Sequence, residues 1–183
     1  MKLKKKSIYN IFFIILIALL LYPPAKERMI RFVAFSPTVI EKTDRQILID
    51  YEWSLQGLNK ASINGNELRG NVVFLNFWAT WCPPCRAELP SIQKLYNDYR
   101  DKVNFVFVTN EKREVVHQYY KEKGYQLPTY NFASKLPSLL ETTSIPQTFI
   151  INREGEIVVS KNGAADWNSK KIRKLLNELV SQK

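Results

Sequence analysis

The sequence predicts an α/β fold with a central mixed sheet and helices on both faces. Between residues 72 and 123, two short apolar runs alternate with two helical patterns, which indicates parallel strands joined by right-handed crossovers. A strand, turn and strand pattern in residues 147–161 adds an antiparallel hairpin. Both cysteines of the chain, Cys82 and Cys85, lie where the first apolar run gives way to a helical pattern. The fold is therefore expected to be organised around this pair.

Residues 1–31 are predicted to form an N-terminal signal-anchor. Four lysines in the first six residues precede an apolar run over 8–22 that only Asn10 interrupts. A cleaved signal peptide needs small residues before its cleavage site, and residues 19–24 contain none, so an uncleaved single-pass transmembrane anchor is favoured. Because the lysines should stay in the cytoplasm, the rest of the chain is expected on the extracytoplasmic (periplasmic) side of the cytoplasmic membrane.

The distribution of charge agrees with this division. Residues 1–31 hold seven basic residues and one acidic residue, so they carry +6 of the net charge of +10. The remaining +4 forms no basic stripe interleaved with aromatic residues, which argues against a nucleic-acid partner. Residues 32–46 are predicted to be a tether or an edge strand broken by Pro37, and residues 47–183 to form one domain.

Before the cysteines, the pattern predicts strands. Residues 47–53 alternate enough to form one strand. An Asn64-Gly65 pair between apolar positions predicts a two-residue hairpin, with a simple turn as the alternative. Residues 72–77 are apolar and mostly β-branched or aromatic, which is typical of a strand buried on both faces.

After the cysteines, helices and strands alternate. The first helix should begin at the cysteines, because the prolines at 83 and 84 suit a first helical turn. A second helix over 111–123 should end at Gly124, a C-cap residue. The remaining predicted elements are strands at 103–109, 127–132, 147–152 and 157–161, a short helix at 136–141 and a last helix at 168–180. The apolar stripes expected to face the sheet are Leu89, Ile92, Leu95, Tyr96 and Tyr99 on the first helix, and Ile172, Leu175, Leu176, Leu179 and Val180 on the last.

The C-x-x-C spacing predicts a redox-active disulfide between Cys82 and Cys85. A helix N-terminus favours an anion, so Cys82 is expected to be the attacking thiolate and Cys85 the thiol that closes the disulfide and releases the partner. Zinc normally needs four ligands, and the chain has only two cysteines and one histidine, His117. A static disulfide across so short a loop would stabilise the fold only weakly. Neither a metal nor another cofactor is therefore expected.

These features together resemble the thioredoxin fold. They are the sequence Trp-Cys-Pro-Pro-Cys after a buried strand, the sequence Ser-Ile-Pro-Gln-Thr over 144–148 ahead of another strand, and a terminal hairpin followed by a helix. More narrowly, residues 47–180 resemble the membrane-anchored TlpA/ResA group of extracytoplasmic thiol-disulfide oxidoreductases. That resemblance implies protein thiols and disulfides as substrates, a membrane thiol protein as the upstream electron donor, and a role of the cytochrome c maturation type.

The resemblance also implies a substrate-binding set. Pro146 matches the cis-proline that lies beside the disulfide in this fold, and Ile145 would offer its backbone to an extended substrate. A plain turn proline is the alternative, since only about 5–6% of X-Pro bonds are cis. The full set of substrate-binding residues is Trp81, Pro83, Pro84, Ile145, Pro146 and Gly163, the last in a loop that borders the substrate groove or begins the last helix.

Two further residues concern proton transfer. Glu88 matches a glutamate that members of the ResA group carry at this position and that is proposed to move protons for the buried thiol. Its alternative role is a first-turn acid that complements the helix dipole. Asn76 stands where thioredoxins carry a buried aspartate, and an asparagine cannot take up a proton. Glu88 is therefore the third predicted catalytic residue, with Cys82 and Cys85.

The direction of electron flow is predicted to be reducing. Pro83 and Pro84 have no N–H to offer a thiolate at Cys82, so the thiolate is only moderately stabilised and the protein should be a reductant. Two other functions stay open at this point. One is a Sco-like copper-binding protein, for which His117 is the only histidine; the other is a partner-binding module without catalysis. A peroxidase is a weaker possibility.

Overall fold

The computed structural model describes residues 9–14, 17, 27–30 and 34–182. From residue 34 onward it consists of a sheet, α-helices and short 3-10 helices. The strands are β1 (Ser54–Gly57), β2 (Ile63–Asn64), β3 (Val73–Phe77), β4 (Asn104–Val108), β5 (Thr129–Phe132), β6 (Gln147–Ile151) and β7 (Ile157–Asn162). The α-helices are α1 (Pro83–Tyr99), α2 (Arg113–Lys123) and α3 (Lys170–Ser181), and the 3-10 helices are Lys42–Asp44, Gly65–Leu68 and Ser138–Leu140.

The strands form one mixed sheet in the order β2-β1-β5-β4-β3-β6-β7. Strands β3, β4 and β5 run parallel, whereas β6 is antiparallel to β3 and β7 to β6. Every residue of β3 is buried, which confirms the predicted strand with two covered faces. Asn76 on β3 lies opposite Thr148 on β6, so two polar side chains meet at the centre of the sheet.

The α-helices all pack on one face of the sheet, so the prediction of helices on both faces is wrong for them. Leu89 on α1, Val116 on α2 and Ile172 on α3 join the same buried cluster as Phe74. In the sheet, β4 lies beside β3, and β5 lies beside β4 on the side away from β3. Both crossovers therefore move across the sheet in the same direction. Because both are right-handed, their helices lie on the same face. The other face is covered by the 3-10 helices Gly65–Leu68 and Ser138–Leu140 and by the segment before β1, through Leu48, Trp53, Leu68 and Leu140.

Two predicted elements before the cysteines differ in the structure. Residues 47–53 form no strand beyond an isolated bridge from Ile47 to Glu156, because their buried side chains pack on the sheet instead of joining it. The Asn64-Gly65 pair makes no hairpin turn: Asn64 ends β2 and caps the 3-10 helix Gly65–Leu68 together with Glu67. A Cβ at Gly65 would lie 2.5 Å from the Tyr51 carbonyl oxygen, so this close packing requires glycine.

The later elements agree with the sequence pattern. Helix α2 ends at Gly124, which has a left-handed φ of 72°, and β6 and β7 form the predicted antiparallel pair. Both apolar stripes face the core, and Ser169 caps α3 by accepting a hydrogen bond from the Ile172 N–H. Local periodicity thus located these helices and strands within a few residues.

The N-terminal predictions fall largely outside the described residues. Of residues 1–31, the structure describes 9–14, 17 and 27–30, which are helical, and Glu27 forms an ion pair with Arg86. In the described part of the chain, none of the helices combines the length and the apolar character that crossing a bilayer requires. The anchor, the tether and the domain limits stay predictions. Within the predicted tether, the Ile40 N–H donates to the Val158 carbonyl at 2.9 Å.

Candidate active site

The end of β3 places the cysteine pair at the N-terminus of α1. Cys82 is the N-cap residue, and its Sγ accepts a hydrogen bond from the Cys85 N–H at 3.3 Å. Pro83 and Pro84 occupy the first two helical positions, so the Cys85 amide is the first N–H of the helix that can serve this sulfur. Cys82 and Cys85 are joined by a disulfide with a Cα–Cα distance of 5.3 Å.

The two sulfurs differ in access. Cys82 retains 3% of its surface, whereas Cys85 is completely buried. The Ile145 carbonyl oxygen lies 3.8 Å from Cys82 Sγ, and the Ile145–Pro146 peptide bond is cis. Cys82 is thus the less buried residue of the pair, and Ile145 lies beside its sulfur.

Gly163 joins this corner of the site from the end of β7. Its N–H donates to the Pro146 carbonyl oxygen at 2.8 Å. Its φ of 79° lies in the left-handed region that favours glycine. Among the described residues other than Gly163 and its two chain neighbours, no atom lies within 4 Å of the place where a Cβ would be. The structure thus brings Ile145, Pro146 and Gly163 together next to Cys82.

A groove lined by both apolar and polar side chains lies at the carboxyl ends of β3, β4 and β5, next to the loop that carries the disulfide. Trp81 is 66% exposed and forms one wall, and Ile145 and Phe132 form others. This part of the groove has a volume of about 380 Å³ and continues past Phe77 and Ser144 into a cavity of about 690 Å³. The half-buried residues Pro83 and Pro84 do not line either part, so their predicted contact with substrate stays a prediction.

Glu88 lies one helical turn after Cys85 and points into the protein. Only 2% of its surface is exposed. Its Oε1 accepts a hydrogen bond from Asn76 Nδ2 at 2.9 Å, and its Oε2 accepts from Trp167 Nε1 at 2.8 Å and from the Ala165 N–H at 3.2 Å. Burial raises the pKa of Glu88 to about 7, although these three donors and the charge of Lys161 oppose the rise. Glu88 can therefore gain or lose a proton near neutral pH.

Glu111 is a functional candidate that sequence reasoning missed. The helical pattern from residue 111 suggests that Glu111 lies in α2, whereas α2 begins at Arg113 and leaves Glu111 in the loop after β4. Its carboxylate accepts hydrogen bonds from the N–H and the hydroxyl of Thr80, both at 2.6 Å. Thr80 lies two residues before Cys82, so Glu111 holds the loop that carries the disulfide. In the sequence, the one feature that could have indicated Glu111 is its position as an acidic residue just after a predicted parallel strand.

Replacing Glu111 by alanine should lower the free energy of unfolding by about 2 kcal/mol. Hydrogen bonds to a charged group contribute about 1.5–3 kcal/mol each, but water can hydrogen-bond to the part-buried Thr80 groups in the variant and so offset part of this loss. Urea unfolding measures this. Glu114→Ala, at an exposed position on α2, is the control. Equal losses for Glu111→Ala and Glu114→Ala would show that the two hydrogen bonds to Thr80 contribute nothing to stability.

Two other residues of interest have structural surroundings. Trp78 is buried and stacks on Tyr120 with ring centroids 5.4 Å apart, which agrees with a packing role. His117 is exposed on α2, on the helix face that borders Arg113 and Leu58. It lies on a different element from the disulfide.

The chain resembles proteins whose names describe thiol-disulfide chemistry. It is 33% identical over 128 residues to the thiol-disulfide oxidoreductase ResA of Oceanobacillus iheyensis, a match that covers 68% of this chain and 66% of that protein. It is 30% identical over 112 residues to the sporulation thiol-disulfide oxidoreductase A of Bacillus subtilis, covering 56% and 68%. The chain thus spans just under two thirds of the ResA protein, and the predicted resemblance to the ResA group is confirmed.

Structure comparison agrees with the sequence comparison. The crystal structure of the exposed lipoprotein thioredoxin of Streptococcus pneumoniae superposes with a TM-score of 0.57 and 26% identity, covering 69% of this chain and 98% of that one. The predicted thioredoxin-like fold with a mixed sheet is therefore confirmed. The sequence profile of the AhpC/TSA family matches residues 50–160, which is more than half of the 183 residues. The chain therefore belongs to the AhpC/TSA family.

Proposed function

We propose that this protein is a thiol-disulfide oxidoreductase that reduces disulfides in partner proteins through Cys82 and Cys85. The observation that carries the proposal is the asymmetric disulfide. Cys82 lies at a helix N-terminus beside the Ile145 carbonyl, while Cys85 is fully buried one turn before a buried carboxyl group. One sulfur is thus placed to meet a partner and the other to resolve the complex.

The proposed reaction starts from the reduced pair. The Cys82 thiolate attacks one sulfur of the partner disulfide, so a Cys82–partner bond forms, the partner disulfide breaks, and the released partner thiolate takes up a proton. Cys85 then loses its proton and attacks Cys82 Sγ, which forms the Cys82–Cys85 disulfide and releases the second partner thiol. Two electrons have passed from the cysteine pair to the partner, and an upstream thiol protein restores the dithiol.

Glu88 is proposed to receive the proton of Cys85. Glu88 lies three positions after Cys85 on α1, so their side chains lie on neighbouring positions of one helix face. A base works best when its pKa is close to the ambient pH, and that of Glu88 is about 7. Asn76 cannot take this role, because an amide does not accept a proton at neutral pH. Glu88 is therefore the proposed general base of the resolving step.

The partner is proposed to lie in the groove between Trp81 and Ile145. Pro146 and Gly163 do not line this groove but lie next to Ile145. An extended chain in this groove would meet the exposed face of Trp81 and the backbone of Ile145. The apolar part of the lining, which includes Trp81, Phe132 and Ile145, favours partners with an apolar side chain next to their cysteine. Protein disulfides fit this description better than small polar thiols.

The direction and location are also proposals. A reducing role on the extracytoplasmic side of the cytoplasmic membrane, in cytochrome c maturation, agrees with relatives named ResA and with a structural relative described as an exposed lipoprotein. The basic, then apolar N-terminal sequence supports a membrane anchor and a membrane thiol protein as electron donor. A reduction potential close to that of DsbA, about −120 mV, would contradict the reducing direction.

A trapping experiment tests the proposed function. In Cys85→Ser, Cys82 can attack a partner but nothing can resolve the complex, so stable mixed disulfides should accumulate. They should be identified by mass after thiol-quenched lysis of cells that express the full chain, and they should disappear on reduction. The partners are expected to be proteins with cysteine pairs.

Cys82→Ser is the matched control, because it keeps a cysteine that the structure buries completely. This variant should trap nothing. If both variants trap equal amounts, or if neither traps any protein, the assignment of Cys82 as the attacking residue is wrong.

A further inference from the structure

The side-chain amide of Asn76 lies at the centre of the buried hydrogen bonds below the disulfide. Asn76 is completely buried on β3, and its Nδ2 donates to both Glu88 Oε1 at 2.9 Å and Thr148 Oγ1 at 2.8 Å. Its Oδ1 is buried too, and it has no hydrogen-bond partner among the residues that the structure describes. An unpaired buried acceptor is unfavourable, so the two hydrogen bonds from Nδ2 to Glu88 and Thr148 must stabilise this orientation of the amide.

The other oxygen of Glu88 has partners that can only donate. Oε2 accepts from the indole N–H of Trp167 and from the backbone N–H of Ala165. Neither group has an acceptor, so a proton on Oε2 would face two donors. A proton that Glu88 takes up therefore belongs on Oε1, which faces Asn76.

The observed orientation of the amide suits only the ionised carboxylate. With a proton on Oε1, the O–H of Glu88 would point at the Nδ2 donor. Turning the amide by about 180° exchanges Nδ2 and Oδ1, because the two ends of the group have nearly the same shape. Oδ1 then accepts from the Glu88 O–H and from the Thr148 hydroxyl, which can donate as well as accept. Each orientation satisfies both contacts and leaves one amide atom unpaired.

We propose that Asn76 is a positioning residue whose amide turns over when Glu88 gains or loses its proton, so that the buried carboxyl keeps a hydrogen bond in both states. The proposal rests on the proposed function, in which Glu88 receives the proton of Cys85. Other residues at position 76 would not do this. An aspartate would place a second acid against Glu88, and the two would compete for one proton. A leucine would leave Oε1 without a partner in either state.

The surrounding groups keep their roles during this exchange. Lys161 on β7 is the charged side chain whose field lowers the pKa of Glu88. Trp167 and Ala165, which precede α3, donate in both states. Cys85, on the same helix as Glu88, is the source of the proton. The Asn76 amide faces the carboxyl and the Thr148 hydroxyl contacts that amide, and both can change between donor and acceptor.

Nuclear magnetic resonance of the unmodified protein tests the proposal. The full chain, labelled with 13C and 15N, is kept oxidised in detergent and titrated from about pH 5 to pH 9, across the pKa of Glu88. We expect the Glu88 carboxyl carbon to titrate near pH 7, as its pKa implies. The nuclear Overhauser contacts between the Asn76 amide protons and the Thr148 side chain should be strong at high pH and disappear at low pH, with the same midpoint.

Two different failures can be told apart. If Glu88 titrates but the contacts from Asn76 to Thr148 persist at all pH values, the amide does not turn and the inference is wrong, while the proposed proton role of Glu88 stands. If the Glu88 carboxyl does not titrate in this range, both the inference and the proton role are wrong.

A pair of variants gives an independent measure. Trp167→Phe removes a donor whose hydrogen bond to the charged carboxylate is stronger than its bond to the neutral acid, so it should raise the titration midpoint of Glu88 by about one pH unit or more. Asn76→Leu removes a partner that serves both states, so it should raise the midpoint by less than half as much. Equal rises would show that Asn76 is a fixed donor. If either variant does not fold, the titration of the unmodified protein decides.

Discussion

Glu88→Gln is expected to slow the resolving step about 100-fold near pH 8, since a positioned general base contributes about 10²–10⁴-fold to a rate. Glutamine keeps the size of the side chain but cannot accept the proton of Cys85. In the unmodified protein the rate of resolution should rise with pH through about 7, where Glu88 ionises. In the variant the rise should move toward about 8.5, the usual value for a thiol that ionises unaided.

The measurement is a single-turnover reaction of the reduced full chain with a peptide disulfide, in which release of the second peptide thiol is followed from pH 5 to pH 9. Glu154→Gln is the control, because it removes the same charge from an exposed turn between β6 and β7. It should leave the profile unchanged. An unchanged profile in Glu88→Gln would show that Glu88 does not move the proton. Its remaining role would be that of a buried acceptor for Asn76, Trp167 and Ala165, because the first turn of α1 contains no acidic residue and the predicted dipole role is therefore wrong.

How well each part of the site can be predicted depends on how far apart in sequence the contacting residues are. The cysteine pair, the strand before it and the helix after it are local in sequence, so spacing and periodicity locate them. The resemblance to the ResA group predicts Glu88 as a site residue, but it does not predict the residues that contact Glu88. Its partner Trp167 lies 79 residues further along the chain, and Asn76 lies 12 residues before it. No local pattern relates these positions, because the sheet and the end of β7 bring them together.

The errors in the fold have a similar origin. Residues 47–53 have the apolar content of a strand, yet their backbone does not pair with the sheet beyond one bridge at Ile47. Side-chain burial and strand pairing give similar sequence patterns. The face of the sheet that each helix covers depends on the order of β3, β4 and β5, which is a tertiary property. The error at Glu111 has a different cause. The helical pattern starts two residues before the helix does, because helix boundaries predicted from sequence are uncertain by several residues.

The stability of the protein should depend on the ionisation of Glu88. Its pKa is 4.5 when exposed and about 7 in the folded protein. A group whose pKa is raised by folding contributes stability that is fully present below pH 4.5 and is lost as the pH rises through about 7. Each pH unit between the two values corresponds to about 1.4 kcal/mol, so about 3 kcal/mol should be lost by pH 8.5.

Comparison of the oxidised full chain with Glu88→Gln isolates this contribution in urea unfolding at pH 4.5 and at pH 8.5. Other acids contribute equally to both proteins; Glu156, whose pKa is lowered by its hydrogen bond from Arg45, changes stability in the opposite sense and cancels. Relative to the unmodified protein, the variant should gain about 3 kcal/mol between the two pH values. A difference that stays constant would mean that Glu88 has the same proton affinity folded and unfolded. The buried carboxyl would then ionise near pH 4.5, and it would be a poorly matched base for the proton of Cys85 at neutral pH.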